Sequence, residues 1–262
     1  TLGLTAFMFG LSSLNSHFLA PFSALAGAVF LVFFVLYELK QDNPILNMRI
    51  FRDNSRFAFA NLAAMINYSA IFASTFILSL YLQLICGLTA QAAGLILLAQ
   101  PVCMALFSPL AGRISDRKDP GILSAFGMGL GGISLGIFIF LTPRFSAAAI
   151  VGVLMLLGIG VAFFSSPNSN AIMGSVTRAF YGVASSSLGT ARLVGQAFSM
   201  AIVTLLTGFF VGNIPLAAAP PHQLMHIFRT AFIIFTVLSL FGVWSAIVST
   251  RPGDRPAAEL QE

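Results

Sequence analysis

Charge is what this sequence has least of. Of its 262 residues 8% are Asp, Glu, Lys or Arg, against a hydrophobic share of 58%. A water-soluble globule of this length presents far more polar surface than that, so a soluble fold is excluded. Cysteine is nearly absent too. Cys86 and Cys103 fall at different depths of successive apolar stretches, too far apart for a bridge, and both read as small apolar fillers. His222 and His226 stand four residues apart with no acid or cysteine beside them, so no metal site is expected. No Ser/His/Asp set lies within an apolar stretch, which leaves an intramembrane enzyme without machinery. Gly127, Gly129 and Gly132 match the dinucleotide fingerprint by letter, but they sit inside an apolar run with no preceding strand and no helix start. No cofactor is expected. A net charge of +5 without a basic groove interleaved with aromatics gives no reason to expect nucleic acid.

What is present is a series of apolar runs. A bilayer core of about 30 Å takes about 20 helical residues to cross. Eight runs approach or exceed that length: 1–16, 18–39, 57–84, 92–112, 122–141, 147–167, 184–211 and 226–248. None alternates in the way a membrane β-barrel strand must. The expected fold class is therefore an all-α integral membrane protein with eight transmembrane helices. If these alternate, Lys40, Arg49, Arg52, Arg56, Arg113, Arg117, Lys118, Arg178, Arg251 and Arg255 share one side, facing Arg144 and Arg229 on the other. All eight acidic residues join the basic side: Glu38, Asp42, Asp53, Asp116, Asp119, Asp254, Glu259 and Glu262. The positive-inside rule then puts both chain ends in the cytoplasm. Because the chain opens at Thr1, apolar at once and without a methionine or a charged leader, it reads as a fragment with its upstream part missing.

The densest charge lies between residues 109 and 121, where Arg113, Asp116, Arg117, Lys118 and Asp119 interrupt two apolar runs. Such a segment belongs in water at a membrane face. Gly112 lets two helix ends approach, Asp116 is placed to accept from the first-turn N–H groups of a neighbouring helix, and Arg113, Arg117 and Lys118 hold the loop on the anionic side. The spacing of Gly112, Ile114, Asp116 and Arg117 resembles the gating-loop motif between the second and third helices of each half of the major facilitator superfamily. Asp119, Pro120 and Gly121 depart from that pattern, as the second half of such a transporter commonly does. The residues also allow a solvated loop that only sets orientation.

The segment Glu38 to Arg56, with its Asp42-Asn43-Pro44 helix stop, divides two helices from six. Residues 44–54 and 184–196 are similar to the corresponding places of the fourteen-helix drug:proton antiporter subfamily, in which two extra helices stand between the halves. The resemblance implies two central linker helices (1–40), a cytoplasmic connector (41–56), a C-terminal six-helix bundle (57–250) and a cytoplasmic tail (251–262). In the bundle it implies a 3+3 inverted repeat. It further implies alternating access, export of drugs or other amphipathic small molecules in exchange for protons, a bacterial inner membrane and a missing N-terminal half as partner. The coupling acid falls on that half, because no carboxylate of this chain lies well inside a run; Glu38 stands at the very end of one. A self-contained homo-oligomeric scaffold or channel, dimerising through its glycine faces, is the alternative.

Asn61, Met65, Tyr68 and Phe72 recur at helical spacing and share one face. Amide, thioether and rings together suit either a cavity for amphipathic molecules or a helix–helix contact. The family's cavity-facing helices add Gln100, Asn168 and Asn170 as pathway candidates. Arg192 is the one charge well inside a run. Two readings fit it: a side chain snorkelling to the membrane face, or, with Gln196 one turn on, a polar element at the cytoplasmic mouth of a pathway. Pro101, Pro109 and Pro167 are expected to bend their helices. Gly127/Gly131 and Gly132/Gly136 offer small-residue spacings for close helix contact.

Overall fold

The computed structural model describes residues 49–250 other than 144 and 213, together with isolated helical positions at 22, 26, 27, 29, 30 and 33. The runs expected at 1–16 and 18–39, the start of the connector and the tail therefore lie, apart from those positions, outside the described residues. The expectation of eight spans, which needs the first two, lies there too.

A short helix α1 (Arg49–Asp53) leads into α2 (Ser55–Leu80), which ends in a π-helical turn over Tyr81–Ile85. α3 (Ala90–Leu97) and α4 (Ala99–Ser115) are two segments of one span, followed by α5 (Pro120–Phe138) and α6 (Ala147–Gly174). After a 3-10 turn at Arg178–Phe180 come α7 (Tyr181–Phe210) and α8 (Pro221–Val248). Among the described residues there is no strand, and six helical segments are long and apolar enough to cross a bilayer. The chain is a multi-pass α-helical membrane protein. In hydrocarbon every backbone N–H and C=O needs an internal partner, and a helix supplies it from its own chain.

Side chains at the helix starts satisfy the orphan donors that remain. The Asn54 side chain accepts from the Phe57 N–H at 2.9 Å and donates to the Ser175 carbonyl at 2.6 Å, joining the start of α2 to the end of α6. Ser146 caps α6 through the Ala149 N–H at 3.2 Å. Prolines act less uniformly than the sequence suggests. Pro101, expected to bend its helix, is the third residue of α4, and an interruption falls just before it at Leu98. It has no N–H to offer the Leu97 carbonyl, and its ring crowds that turn. Pro109 and Pro167 lie inside α4 and α6, which continue past them.

The principal contacts are α5 with α6, α4 with α6, α5 with α8, α2 with α7, and α2 with α8. Exchange the first three spans (α2, α3/α4, α5) for the last three (α6, α7, α8), and this set maps onto itself. An inverted 3+3 repeat has that symmetry. The contacts are close because glycines permit them. A Cβ on Gly127 of α5 would run into the backbone of Phe163 and Phe164 of α6, and one on Gly158 of α6 would strike the Gln100 carbonyl of α4. One on Gly195 of α7 would strike the Met65 carbonyl of α2. Gly131 faces Leu157 of α6, whereas Gly132 and Gly136 face Ser239 and Thr236 of α8. Both glycine faces of α5 are thus occupied inside the bundle.

The largest apolar cluster joins Ile77 and Tyr81 to Phe138 and to Phe228, Phe232 and Phe235 of α8. It lies at the end of the bundle opposite Arg113, Arg117 and Lys118. There the Tyr81 hydroxyl donates to the Thr142 carbonyl at 2.7 Å, and the Phe138 and Phe232 rings lie 5.3 Å apart. Outward-facing residues are equally apolar, with Leu106, Phe140 and Phe209 at 70%, 74% and 84% exposure. Such a surface needs lipid or further protein against it.

Gly195→Ala is expected to lower the thermal melting point of the detergent-solubilised protein by the equivalent of about 1–3 kcal/mol of overpacking. Gly189→Ala, on the same helix where a Cβ meets nothing within 4 Å, is expected to leave it unchanged. Equal melting of the two variants would contradict the close approach of α2 and α7.

Candidate functional site

The face of α2 carrying Asn61, Met65, Tyr68 and Phe72 looks toward α7. The two helices touch where Gly195 meets the Met65 carbonyl and the Ser69 amide, and they diverge on both sides of that point. Toward the end of the bundle that carries Arg113, Arg117 and Lys118 lies a cavity of about 500 Å³, walled by Phe51, Asn61 and Met65 from one side and by Ser186, Ser187 and Thr190 of α7 from the other. Beyond the contact a second cavity of about 360 Å³ is lined by Tyr68, Phe72, Thr75, Ser79, Leu97 and Gln196.

Arg192 stands against Tyr68 of the second cavity's wall. It lies about 16 Å along α7 at the helical rise of about 1.5 Å per residue. Its guanidinium sits 4.5 Å over the centre of the Tyr68 ring, and one N–H donates to the Tyr68 oxygen at 3.4 Å. A cation over an aromatic face gains about 0.5–1 kcal/mol when exposed and more once water is excluded. With its oxygen accepting from Arg192, Tyr68 has its own hydrogen free for Ser165 Oγ of α6, 3.2 Å away. Arg192, Tyr68 and Ser165 thus form a polar chain across three helices. Arg192 is exposed to the cleft. Among the described residues the one ion pair is Arg52 with Asp53, at 2.9 Å in the connector, so no carboxylate there pairs with Arg192.

The α2/α7 groove brings together Asn61, Met65, Tyr68, Phe72, Arg192 and Gln196. The remaining pathway candidates sit elsewhere. Gln100 is buried, with Oε1 accepting from Thr75 Oγ1 at 3.4 Å. Asn168 is buried in α6, and Asn170 is exposed and donates to Ser115 Oγ at 3.0 Å, tying α6 to the end of α4. None of these three lines either cavity. Asn61 is itself buried, its amide donating to the Phe57 carbonyl at 2.9 Å and its Oδ1 without a partner.

Sequence reasoning missed the hydroxyls of this groove. The spacing of 61, 65, 68 and 72 continues through Thr75 and Ser79 in the same alternation of four and three, and 183, 187, 190 and 194 repeat it on α7. The signal was there, but Ser and Thr in apolar helices also bond back to their own backbone. Ser186 and Thr190 do so, donating to the Val183 and Ser186 carbonyls at 2.9 Å each. Their hydroxyl hydrogens are thereby occupied, and the oxygens remain as acceptors.

At the charged loop Gly112 packs against Ser166, where a Cβ would lie 3.4 Å from the hydroxyl oxygen. Arg113, Asp116, Arg117 and Lys118 surround an open recess of about 420 Å³. The helix that follows the loop, α5, is capped by Asp119, which accepts from the Gly121 and Ile122 N–H groups at 2.8 and 3.4 Å. Pro120 explains the position of the cap. It occupies the first helical position, where its fixed φ suits and its missing N–H costs nothing, so the residue before it becomes the cap. Asp116 is exposed at the other end of the loop, as the C-cap of α4.

Comparison with known proteins agrees with this architecture. The profile of the Major Facilitator Superfamily matches residues 3–200 and 60–262. The chain is 30% identical to the uncharacterized transporter YebQ of Escherichia coli (strain K12) over 182 residues, 70% of this chain and 40% of YebQ. It is 26% identical to the uncharacterized transporter YcnB of Bacillus subtilis (strain 168), over 99% of this chain and 55% of YcnB. It is 29% identical to the multidrug resistance protein Stp of Mycobacterium tuberculosis (strain ATCC 25618 / H37Rv), over 67% of this chain and 32% of Stp. The chain thus spans about half or less of the length of the curated relatives it matches.

Removing the cap by Asp119→Ala is expected to cost about 1 kcal/mol of stability, read as a lower melting point. Asp116→Ala should change it by less than about 0.5 kcal/mol. An equal loss from the two variants would contradict Asp119 as the cap of α5.

Proposed function

The chain belongs to the Major Facilitator Superfamily, and on that premise we propose that it is the C-terminal part of a fourteen-helix secondary transporter. In this reading residues 1–40 supply two linker helices, 41–56 a cytoplasmic connector, 57–250 the second six-helix bundle and 251–262 a cytoplasmic tail. The bundle rocks against an N-terminal half that lies outside this chain, exposing the α2/α7 groove alternately to the two sides of a bacterial inner membrane. Substrates are drugs or other amphipathic small molecules. They leave in exchange for protons, whose coupling acid belongs to the other half.

One observation carries the reading of a half. In their most apolar stretches the α3/α4 span is 17% buried and the α7 span 22%, against 39% to 56% for the other four. These two spans exchange with each other under the symmetry of the contacts, so the least covered surface is a matched pair flanking the groove. A second six-helix bundle laid against that pair would close a cavity whose wall already holds Tyr68, Phe72 and Gln196, with Arg192 stacked on Tyr68. Relatives that are nearly twice as long or more supply room for it. A scaffold dimerising through its glycines is disfavoured, since Gly127, Gly131, Gly132 and Gly136 already face helices of this bundle.

Two measurements test this. In cells making the full-length protein, efflux of a fluorescent dye is expected to stop when the pH gradient is collapsed, and efflux that ignores the collapse rules out proton exchange. With Cys86 and Cys103 replaced by Ala, single cysteines at Lys118 and Arg144 should react with an impermeant maleimide from opposite sides of the membrane. Labelling from the same side refutes the threading.

A further inference from the structure

The groove carries a charge that its own bundle does not balance. Every acidic residue of the chain precedes residue 54, follows residue 253, or lies at Asp116 and Asp119 in the charged loop. The spans α2, α3/α4, α5, α6, α7 and α8 therefore contain no carboxylate. Arg192 stands against Tyr68, which lines the cavity of about 360 Å³ together with Phe72 and Gln196. A guanidinium has five N–H donors in a planar fork. Tyr68 takes one face of the plane and one N–H, and no other hydrogen bond or ion pair from this side chain is formed among the described residues. The open donors suit two coplanar oxygens, as a carboxylate or sulfonate presents them. Next to them lie Tyr68, Phe72 and Met65, apolar and aromatic, with the Gln196 amide one turn along α7 as a further donor.

From this juxtaposition we propose that the groove selects amphipathic organic anions, with Arg192 as the group that binds the acid and Phe72 with Met65 accommodating the aromatic or aliphatic body. The proposal deepens the transport reading and rests on it for the claim that the bound anion is moved. An organic cation finds no counter-charge on this bundle and meets the field of Arg192, which is less screened beside protein than in bulk water. A hydrogen bond to a charged group outlasts a neutral one by a margin that makes the head group decisive among ligands sharing one ring system.

The test uses three probes of one shape: 1-naphthoate, its methyl ester and (1-naphthylmethyl)trimethylammonium. Binding to the purified full-length protein is measured by equilibrium dialysis, and movement by counterflow into proteoliposomes. Wild type is expected to bind naphthoate about tenfold or more tightly than the ammonium probe. Arg192→Gln should weaken naphthoate by about tenfold and the ester by no more than about twofold, with Arg192→Lys intermediate. Gln196→Glu, which puts a carboxylate one turn from the guanidinium, should abolish the preference between the two charged probes. The wild-type preference and its loss in Gln196→Glu do not depend on the Arg192 variants folding. The proposal is overturned if wild type prefers the ammonium probe, as it would were an acid of the other half to neutralise Arg192. It is equally overturned if Arg192→Gln weakens all three probes alike. Anion-selective binding without counterflow keeps the site and refutes transport, whereas ammonium counterflow untouched by Arg192→Gln keeps transport and refutes the site.

Discussion

Backbone meeting backbone at glycine is the contact on which this bundle depends. Lipid is as apolar as leucine, so a membrane helix gains little by exchanging one for the other and associates instead through close packing. Gly127 against Phe163 and Phe164, Gly158 against Gln100, and Gly195 against Met65 are the places where two main chains come within reach. Each joins a helix of the first three spans to one of the last three. Larger side chains fill in around them, as Phe138, Phe228 and Phe232 do at one end. Without the glycines the phenylalanines would have no fixed partners to pack against.

The same rule shapes the groove. α2 and α7 meet backbone to backbone at Gly195, a cavity lies to either side of that contact, and Arg192 stands one turn away against Tyr68. The arginine gains a tyrosine face and a hydroxyl there rather than an acid. A buried ion pair would have fixed the side chain and cancelled its field. Stacking on Tyr68 orients the guanidinium and leaves its charge acting on whatever enters.

Much of this was legible in the sequence. The six spans from residue 57 onward, their antiparallel order and the face shared by Asn61, Met65, Tyr68 and Phe72 follow from run length, charge placement and helical spacing, and the structure has them. What escaped were matters of a single residue's surroundings. Pro101 acts at Leu98 because a proline disturbs the turn before it. The cap that Asp119 makes on α5 went unread, and it falls there because Pro120 fixes where that helix begins. Gln100 and Asn168 have the right polarity for a pathway wall, but rotation about the helix axis turns them inward, and one sequence alone does not give that rotation.

The heaviest contacts of this bundle run between its two three-helix units, and those within a unit, such as α7 with α8, are lighter. Each unit thus has little core of its own to settle into while the ribosome is still at work. The inner face of α2 must wait for α7 and α8, which emerge well over a hundred residues later, on the order of ten seconds at the usual pace of synthesis. During that interval a nascent helix bearing Asn61, Asn67 and Ser69 on its inward side stands in the bilayer without its mates. The early life of this protein is therefore the period in which an insertase or membrane chaperone has most to offer it.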